Sequence, residues 1–370
     1  MDEFAQVVTR YRVERDMSVR KLAAEINRSH AYVCRVINGI RPRTADIVRR
    51  IDGALEAGGD VIEAAFRPVP PAEEVHVMPQ ELLGYFASQL AAHYTVERNH
   101  GYGDLFTVAR AQYRSLAGEA ETAKGSDRNA LEGAAAGFAG LLGWLHQDKR
   151  EMARSARWHD TMIDHARRSG DEQLHAFSLQ AKAFMCADMG DGAAVLDLTG
   201  EALQDRSRLG PRVMVHLLQQ RAHGLTIAGG DPDEALRLLD EAAGFMDRAD
   251  DGSPWGSAVT SPRYIDVQRA TVCTRLGRAR DALALLDDLL PAIPPGRDRG
   301  VFMTRQAQNL ALSGEPDEAV AVAREVIPYA RRTGSARMRR ELGVLRDRLV
   351  PYPRQGRELA DAMAGLRKGR

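Results

Sequence analysis

Apolar residues recur at helical spacing along most of the chain, and the clearest pattern lies near its start. Leu22, Ala23 and Ile26 share one helical face, and Val33, Val36 and Ile37 share another a few residues on. The polar break Asn27-Arg28-Ser29 separates the two runs. Ser18 and Ser29 stand where a side-chain oxygen can cap each helix. Asn27 suits the left-handed backbone of a tight turn, and Asn38-Gly39 is a usual helix exit. Two short helices joined by a turn follow, with His30, Ala31, Cys34 and Arg35 on the outer face of the second. The segment 4–15 (Phe4, Val7, Val8, Tyr11) and the segment 44–55 (Ile47, Val48, Ile51, Leu55) supply the rest of a small core.

Charge sharpens this picture. The chain of 370 residues carries 51 basic and 51 acidic side chains and is neutral overall. Residues 10–50, however, hold 11 Lys/Arg against 4 Asp/Glu, and residues 51–97 hold 8 acidic groups and one Arg. A basic patch confined to the two-helix motif is what phosphate neutralisation requires. A solvated charged face on a small helical domain is the alternative.

Beyond this domain, the Pro-rich run at 67–74 breaks any helix and favours extended backbone. From there to about residue 349 the pattern is helix after helix, punctuated by Gly, Asp and Pro. Four turns align on Gly190, Gly230, Gly277 and Gly314. Five residues after each stands Val195, Ala235, Ala282 or Ala319, and seven before it Ala183, His223, Ala270 or Ala307. Asp148, with Ala153 five residues on, forms a weaker fifth member. The intervals are 42, 40, 47 and 37 residues. Small residues at matched heights let two antiparallel helices approach closely, and neighbouring pairs must stack to bury their apolar faces. A non-repeating helical bundle is the alternative.

The first motif resembles the Cro/C1-type (xenobiotic response element) helix-turn-helix family over residues 3–57. The resemblance is carried by Leu22-Ala23, Ser29, Val33, Asn38-Gly39 and Arg41-Pro42. It departs at Asn27, where Gly is common, and at Cys34 and Ile37, where polar residues are common. It implies that base edges are met by His30, Ala31 and Arg35, with Arg28 and Tyr32 as neighbours. Phosphates are then met by Ser18, Arg20, Ser29, Asn38, Arg41 and Arg43. The helical part resembles a degenerate tetratricopeptide array, whose ideal repeat is about 34 residues. Together with the run 143–148 (GWLHQD), the two-part layout looks like a large group of actinobacterial regulators, similar in architecture to the peptide-sensing quorum regulators of Gram-positive bacteria.

The expected fold is therefore all-α: a helix-turn-helix domain (1–66), a Pro-rich linker (67–79), a right-handed tetratricopeptide-like α-solenoid (80–350) and a C-terminal tail helix (351–370). In such arrays the first helix of each pair lines the concave wall. Mapping that rule onto this chain selects Phe138, Phe177, Gln180, Phe184, Gln220, Tyr264, Thr271, Arg275, Thr304 and Gln308 for ligand binding, with Leu142, Asp188 and Thr274 beside them. Amides can bond both backbone groups of an extended peptide. Core packing is the alternative for the Phe and Leu positions, and solvation for the Gln and Thr positions.

Other classes recede. No GxGxxG after a strand, GxxxxGK[ST], GxSxG or HExxH occurs, so an enzyme is not expected, and neither is a cofactor. Residues 100–104 (HGYGD) have too few glycines for a phosphate loop. His216 and His223 lie two helical turns apart, a metal-site spacing only if other ligands converge; no metal is expected. Cys34, Cys186 and Cys273 show no metal or redox spacing. No run of eighteen apolar residues and no signal-peptide pattern is present, so the expectation is a cytoplasmic protein without a membrane partner.

The expected function is sequence-specific regulation of transcription on a double-stranded operator. The DNA-binding resemblance favours repression. A homodimer would read paired half-sites, and the array would sense a signalling peptide or small molecule. One alternative is a ligand-independent regulator whose array serves dimerisation and protein docking. An enzyme with a DNA-binding appendage is the third class.

Overall fold

The computed structural model describes residues 3–66, 79–100, 105–249, 255 and 263–366, with the backbone alone at 79 and 98–100. The linker expected over 67–79 falls outside the described residues except at 79. The Gly-Tyr-Gly-Asp segment of 101–104 and the last four residues also lie outside them. Every described element is helical, and the chain divides into two compact units, Met1–His76 and Val77–Arg370. The fold is all-α, a small helix-turn-helix domain followed by a tetratricopeptide-like stack.

The first unit has five helices: α1 (Glu3–Glu14), α2 (Val19–Glu25), α3 (His30–Ile37), α4 (Ala45–Ala54) and α5 (Asp60–Phe66). Ser18 and Ser29 cap α2 and α3, accepting from the backbone N–H of Lys21 and Tyr32. Asn27 takes φ 49° between them. Phe4, Val8, Leu22, Val33, Val36, Ile47, Val48, Ile51 and Leu55 form one core. The sequence reading had no α5. Buried Asp52 holds its start by accepting from the N–H of Gly59 and Val61 at 3.1–3.2 Å, and Val61 joins the core.

The second unit runs α6 (Pro79–His100), α7 (Leu105–Thr122), α8 (Gly125–Asp148), α9 (Met152–Ser169), α10 (Glu172–Met189), α11 (Gly192–Ala202) and α12 (Pro211–Ala228). It continues with α13 (Pro232–Ala243), α14 (Tyr264–Arg275), α15 (Ala279–Leu289), α16 (Arg297–Leu312), α17 (Pro316–Thr333), α18 (Ala336–Arg348) and α19 (Pro353–Met363). These pack as successive pairs, α6 with α7 through α16 with α17, and each even-numbered helix from α8 onward also packs on the next. The tail does not stand apart. α19 lies on α17, and Leu359 and Leu366 enter the same core as Val326 and Leu345.

The turns explain the repeat, and they correct its register in two places. In the pairs from α8–α9 to α16–α17 a left-handed residue follows the first helix, and the N-cap position of the second comes next: Gly190 then Asp191, Gly277 then Arg278, Gly314 then Glu315. In the pair α12–α13 the left-handed residue is Gly229, with Gly230 as an extra residue before Asp231. The matching small residue is therefore fully buried Ala222, and not His223. In the pair α8–α9 it is Arg150, at φ 65°. The matched positions are then Gly143 and buried Ser155, and not those set by Asp148 and exposed Ala153.

The stack curls until its beginning meets its end. Glu97 of α6 forms a buried ion pair with Arg297 of α16. Ser335, which caps α18, donates to Asp148 at 2.9 Å, and Arg340 Nη1 donates to the carbonyl of Asp188 at 2.6 Å.

Candidate nucleic-acid interface and candidate ligand pocket

In the first unit the core fixes which face of α3 is turned outward. Val33, Val36 and Ile37 are buried, so His30, Ala31 and Arg35 are exposed and Cys34 is half-buried. Ile37 is a core residue, which accounts for an apolar side chain at that position. His30 Nε2 lies 3.5 Å from Cys34 Sγ, one turn along. Arg28, Ser29, Asn38 and Arg41 are exposed around the same helix, and Ser18 and Arg20 are exposed on α2 and its cap. Arg28 donates to the carbonyl of Asn27 at 3.2 Å. The Arg41 guanidinium sits 5.1 Å from the ring of half-buried Tyr32.

Arg43 differs from the others. Its guanidinium lies 4.3 Å from the Phe4 ring and Nη2 donates to the carbonyl of Ile37 at 3.4 Å. Half-buried and turned onto the core, it clamps α1 to the end of α3, where the resemblance implied a phosphate contact. A further tie between the ends of the domain is Tyr11, whose hydroxyl donates to Asp60 at 2.6 Å, with Arg10 at 3.2 Å from the same oxygen.

In the second unit the expected ligand residues divide into three groups. Phe138, Leu142 and Thr304 are packed into the interior, with Thr304 donating to the carbonyl of Gly300. Gln180 and Gln220 are buried, within 3.5 Å of each other, and Gln220 donates to the carbonyl of Ala183. These five hold helices together, because polar groups that lose water must find partners inside. The aromatic group is half-buried. Phe177 stacks on Trp255 at 4.6 Å and meets His216, which meets Tyr264, and Phe184 stacks on Trp144 at 5.8 Å.

The third group converges. Thr271, Thr274 and Arg275 of α14 face Arg305 and Gln308 of α16 and Arg340, Glu341, Val344 and Arg348 of α18 around a cavity of about 150 Å³. Sequence reasoning found the α14 residues and Gln308. It missed Arg305 and everything on α18. The available signal was the spacing of Arg337, Glu341, Val344 and Arg348, which puts them on one helical face.

The electrostatics of this cavity are uneven. Glu341 draws in Arg305 at 3.6 Å, Arg340 at 3.4 Å and the amide of Gln308 at 2.9 Å. Burial raises the Glu341 pKa, but Arg305 and Arg340 override it and hold the carboxyl at about 2. Arg305 also donates to Thr271 Oγ1 at 2.6 Å. Arg275 has a neutral partner: its Nη1 lies 2.6 Å from His223 Nδ1. A guanidinium can only donate, so Nδ1 accepts, and Nε2–H donates to Gln268 Oε1 at 2.9 Å. Burial and the Arg275 charge keep His223 neutral, with its pKa well below the ordinary value. Burial and neighbouring Arg305 lower the Arg275 pKa to about 10. Arg348 Nη2 reaches the carbonyl of Thr274 at 3.5 Å, while its Nη1 is buried without a hydrogen-bond partner among the described residues.

His216 and His223 thus serve a ring cluster and an arginine, respectively. Among the described residues no three His, Cys, Asp or Glu side chains are placed to share a metal ion. No described helix is long and apolar enough to cross a membrane.

No family model matches the chain. No curated protein matches it either. Among solved structures, the chain is similar to Bacillus thuringiensis PlcR, crystallised in complex with the peptide PapR7 and DNA. The two are 15% identical; the match covers 78% of this chain and 96% of that one, with a TM-score of 0.37.

Proposed function

We propose that the chain is a sequence-specific DNA-binding regulator of transcription whose helical stack receives a small effector. The observation that carries this reading is the outer face of α3. His30, Ala31 and Arg35 stand exposed on a helix whose opposite face is locked into the core, with Arg28 and Arg41 exposed beside it. A helix presented in this way fits the major groove, where arginine can bond two acceptors of guanine at once. Its basic surroundings supply the sequence-independent attraction to phosphate.

One such helix reads only a few base pairs, so the reading includes a homodimer on two half-sites about one helical turn apart. Selection of bound sequences from a random duplex pool tests this directly. The expected result is a two-fold symmetric site; recovery of no common sequence would overturn the assignment. The effector part rests on the cavity between α14, α16 and α18, where polar groups from the three helices converge.

A further inference from the structure

Guanidinium groups outnumber carboxylates in the wall of the cavity between α14, α16 and α18. Four arginines line it against one carboxylate, that of Glu341. Glu341 is already shared by Arg305 and Arg340. Neither Arg275 nor Arg348 has an ion-pair partner among the described residues. Arg275 is held by the neutral ring of His223, and one terminal nitrogen of Arg348 has no hydrogen bond. Both side chains are half-buried, and the one carboxylate in the wall, Glu341, is already paired twice; taking a cation even partly out of water without an ion pair is costly, and an anion entering the cavity would offset that cost. Guanidinium forks match oxyanions in shape and bond them in pairs.

We propose that this cavity binds the anionic end group of a small effector, a carboxylate or a phosphate, held by Arg275 and Arg348. The inference deepens the effector reading given above and rests on it. The volume of about 150 Å³ accommodates one end group and its immediate neighbours and leaves no room for a whole peptide. His223 acts as a positioning residue: by accepting from Arg275 Nη1 it fixes the fork and adds no negative charge to compete with the ligand. Gln308 and Arg305 tie up Glu341, so that its carboxylate is already satisfied when an anion enters.

The test uses the full chain at constant ionic strength, with four probes in calorimetric and thermal-shift titrations. The probes are inorganic phosphate, succinate, and tetra-alanine with a free or an amidated C-terminus. At least one of the three anionic probes is expected to bind and raise the melting temperature, and the amidated peptide is not. Phosphate alone points to a phosphorylated effector, succinate to a small carboxylic acid, and the free peptide to a peptide terminus. Arg275→Gln and Arg348→Gln are each expected to weaken the binding at least tenfold, whereas Arg346→Gln, on the exposed side of α18, leaves it unchanged. Without ligand the two cavity variants are expected to melt at or above the parent temperature, because each removes a half-buried charge that has no ion pair. A variant that fails to fold, equal binding of the amidated peptide, binding that survives both substitutions, or no binding of any probe would overturn the proposal. DNA binding is measured on the same preparations. If it persists while every probe fails, the cavity assignment falls and the regulator assignment stands; if DNA binding alone fails, the reverse holds.

Discussion

Ser155 Oγ donates a 2.8 Å hydrogen bond to the backbone carbonyl of Gly143, where α9 crosses α8. A Cβ added at Gly143 would stand 2.9 Å from Cε1 of the His159 ring. The pair occupies the height at which later pairs set Ala183 against Val195 and Ala307 against Ala319. Here the His159 ring fills the space beside Gly143, and glycine is required. Overpacking costs about 1–3 kcal/mol, against a helix-propensity gain of about 1 kcal/mol for alanine. Gly143→Ala is therefore expected to destabilise the stack by about 1 kcal/mol. Gly118 in α7 has nothing within 4 Å of an added Cβ, so Gly118→Ala is expected to stabilise by about 0.5–1 kcal/mol. Urea melts of the two variants check this; shifts of the same sign would refute the packing argument.

The same pair shows what the sequence could and could not reveal. Helical pairs were legible because Gly-Asp turns supply both a left-handed exit and a cap, and because buried Ala and Val recur around them. The register failed where the left-handed residue is Arg150, which carries no such signature, and where Gly229 and Gly230 offer two choices. α18 fell in no repeat because the turn after it, 349–352 (LVPY), contains no glycine. With α18 outside the pattern, four of the nine residues that line the cavity were invisible. Arg43 illustrates a different limit. Spacing places an arginine near a helix end, but not whether its side chain swings to solvent or onto the Phe4 ring.

Buried histidines give the fold a defined acid response. His159 is 2% exposed, neither ring nitrogen has a hydrogen-bond partner among the described residues, and burial lowers its pKa to about 4. His223 is depressed by burial and by Arg275. In the unfolded chain both titrate near 6.5. The unfolded state therefore takes up protons first, and the stability these groups contribute is complete above about pH 6.5 and is lost as pH falls toward their folded values. His159 is expected to cost about 2 kcal/mol between pH 7 and pH 5, and His223 acts in the same direction. Unfolding free energies at the two pH values, for the parent and for His159→Leu, measure the effect. The leucine variant should lose about 2 kcal/mol less; an identical fall would exclude His159 as a source.

Around the proposed DNA-reading helix three arginines are expected to behave differently. Arg35→Ala should weaken specific binding by about 1–3 kcal/mol and relax the preference at one position per half-site. Arg41→Ala should weaken specific and random DNA alike and make the salt slope shallower by about one unit. Arg43→Ala should leave the salt slope unchanged and instead lower the stability of the first unit by about 0.5–2 kcal/mol, the range for a cation over an aromatic ring. Anisotropy titrations at several salt concentrations distinguish the three. A shallower slope for the Arg43 variant would restore it to the phosphate set.

Among the contacts that close the stack is the buried pair of Glu97 and Arg297, whose side chains are 2% and 6% exposed. Arg297 also pairs with Asp298 at 3.0 Å and lies 4.8 Å from the Trp144 ring, so it ties α6, α8 and α16 at one point. Removing one member of a buried pair typically costs about 3–5 kcal/mol. Glu97→Leu is expected near the lower end, because Asp298 remains for Arg297. Arg297→Met leaves a buried carboxylate with no cation and should cost more. Replacing both, as Glu97→Leu with Arg297→Met, removes the charges together and should return stability to within about 1–2 kcal/mol of the parent. A double-mutant cycle in denaturant reads the coupling. Strictly additive losses would mean that the two residues do not meet and that some other contact closes the stack.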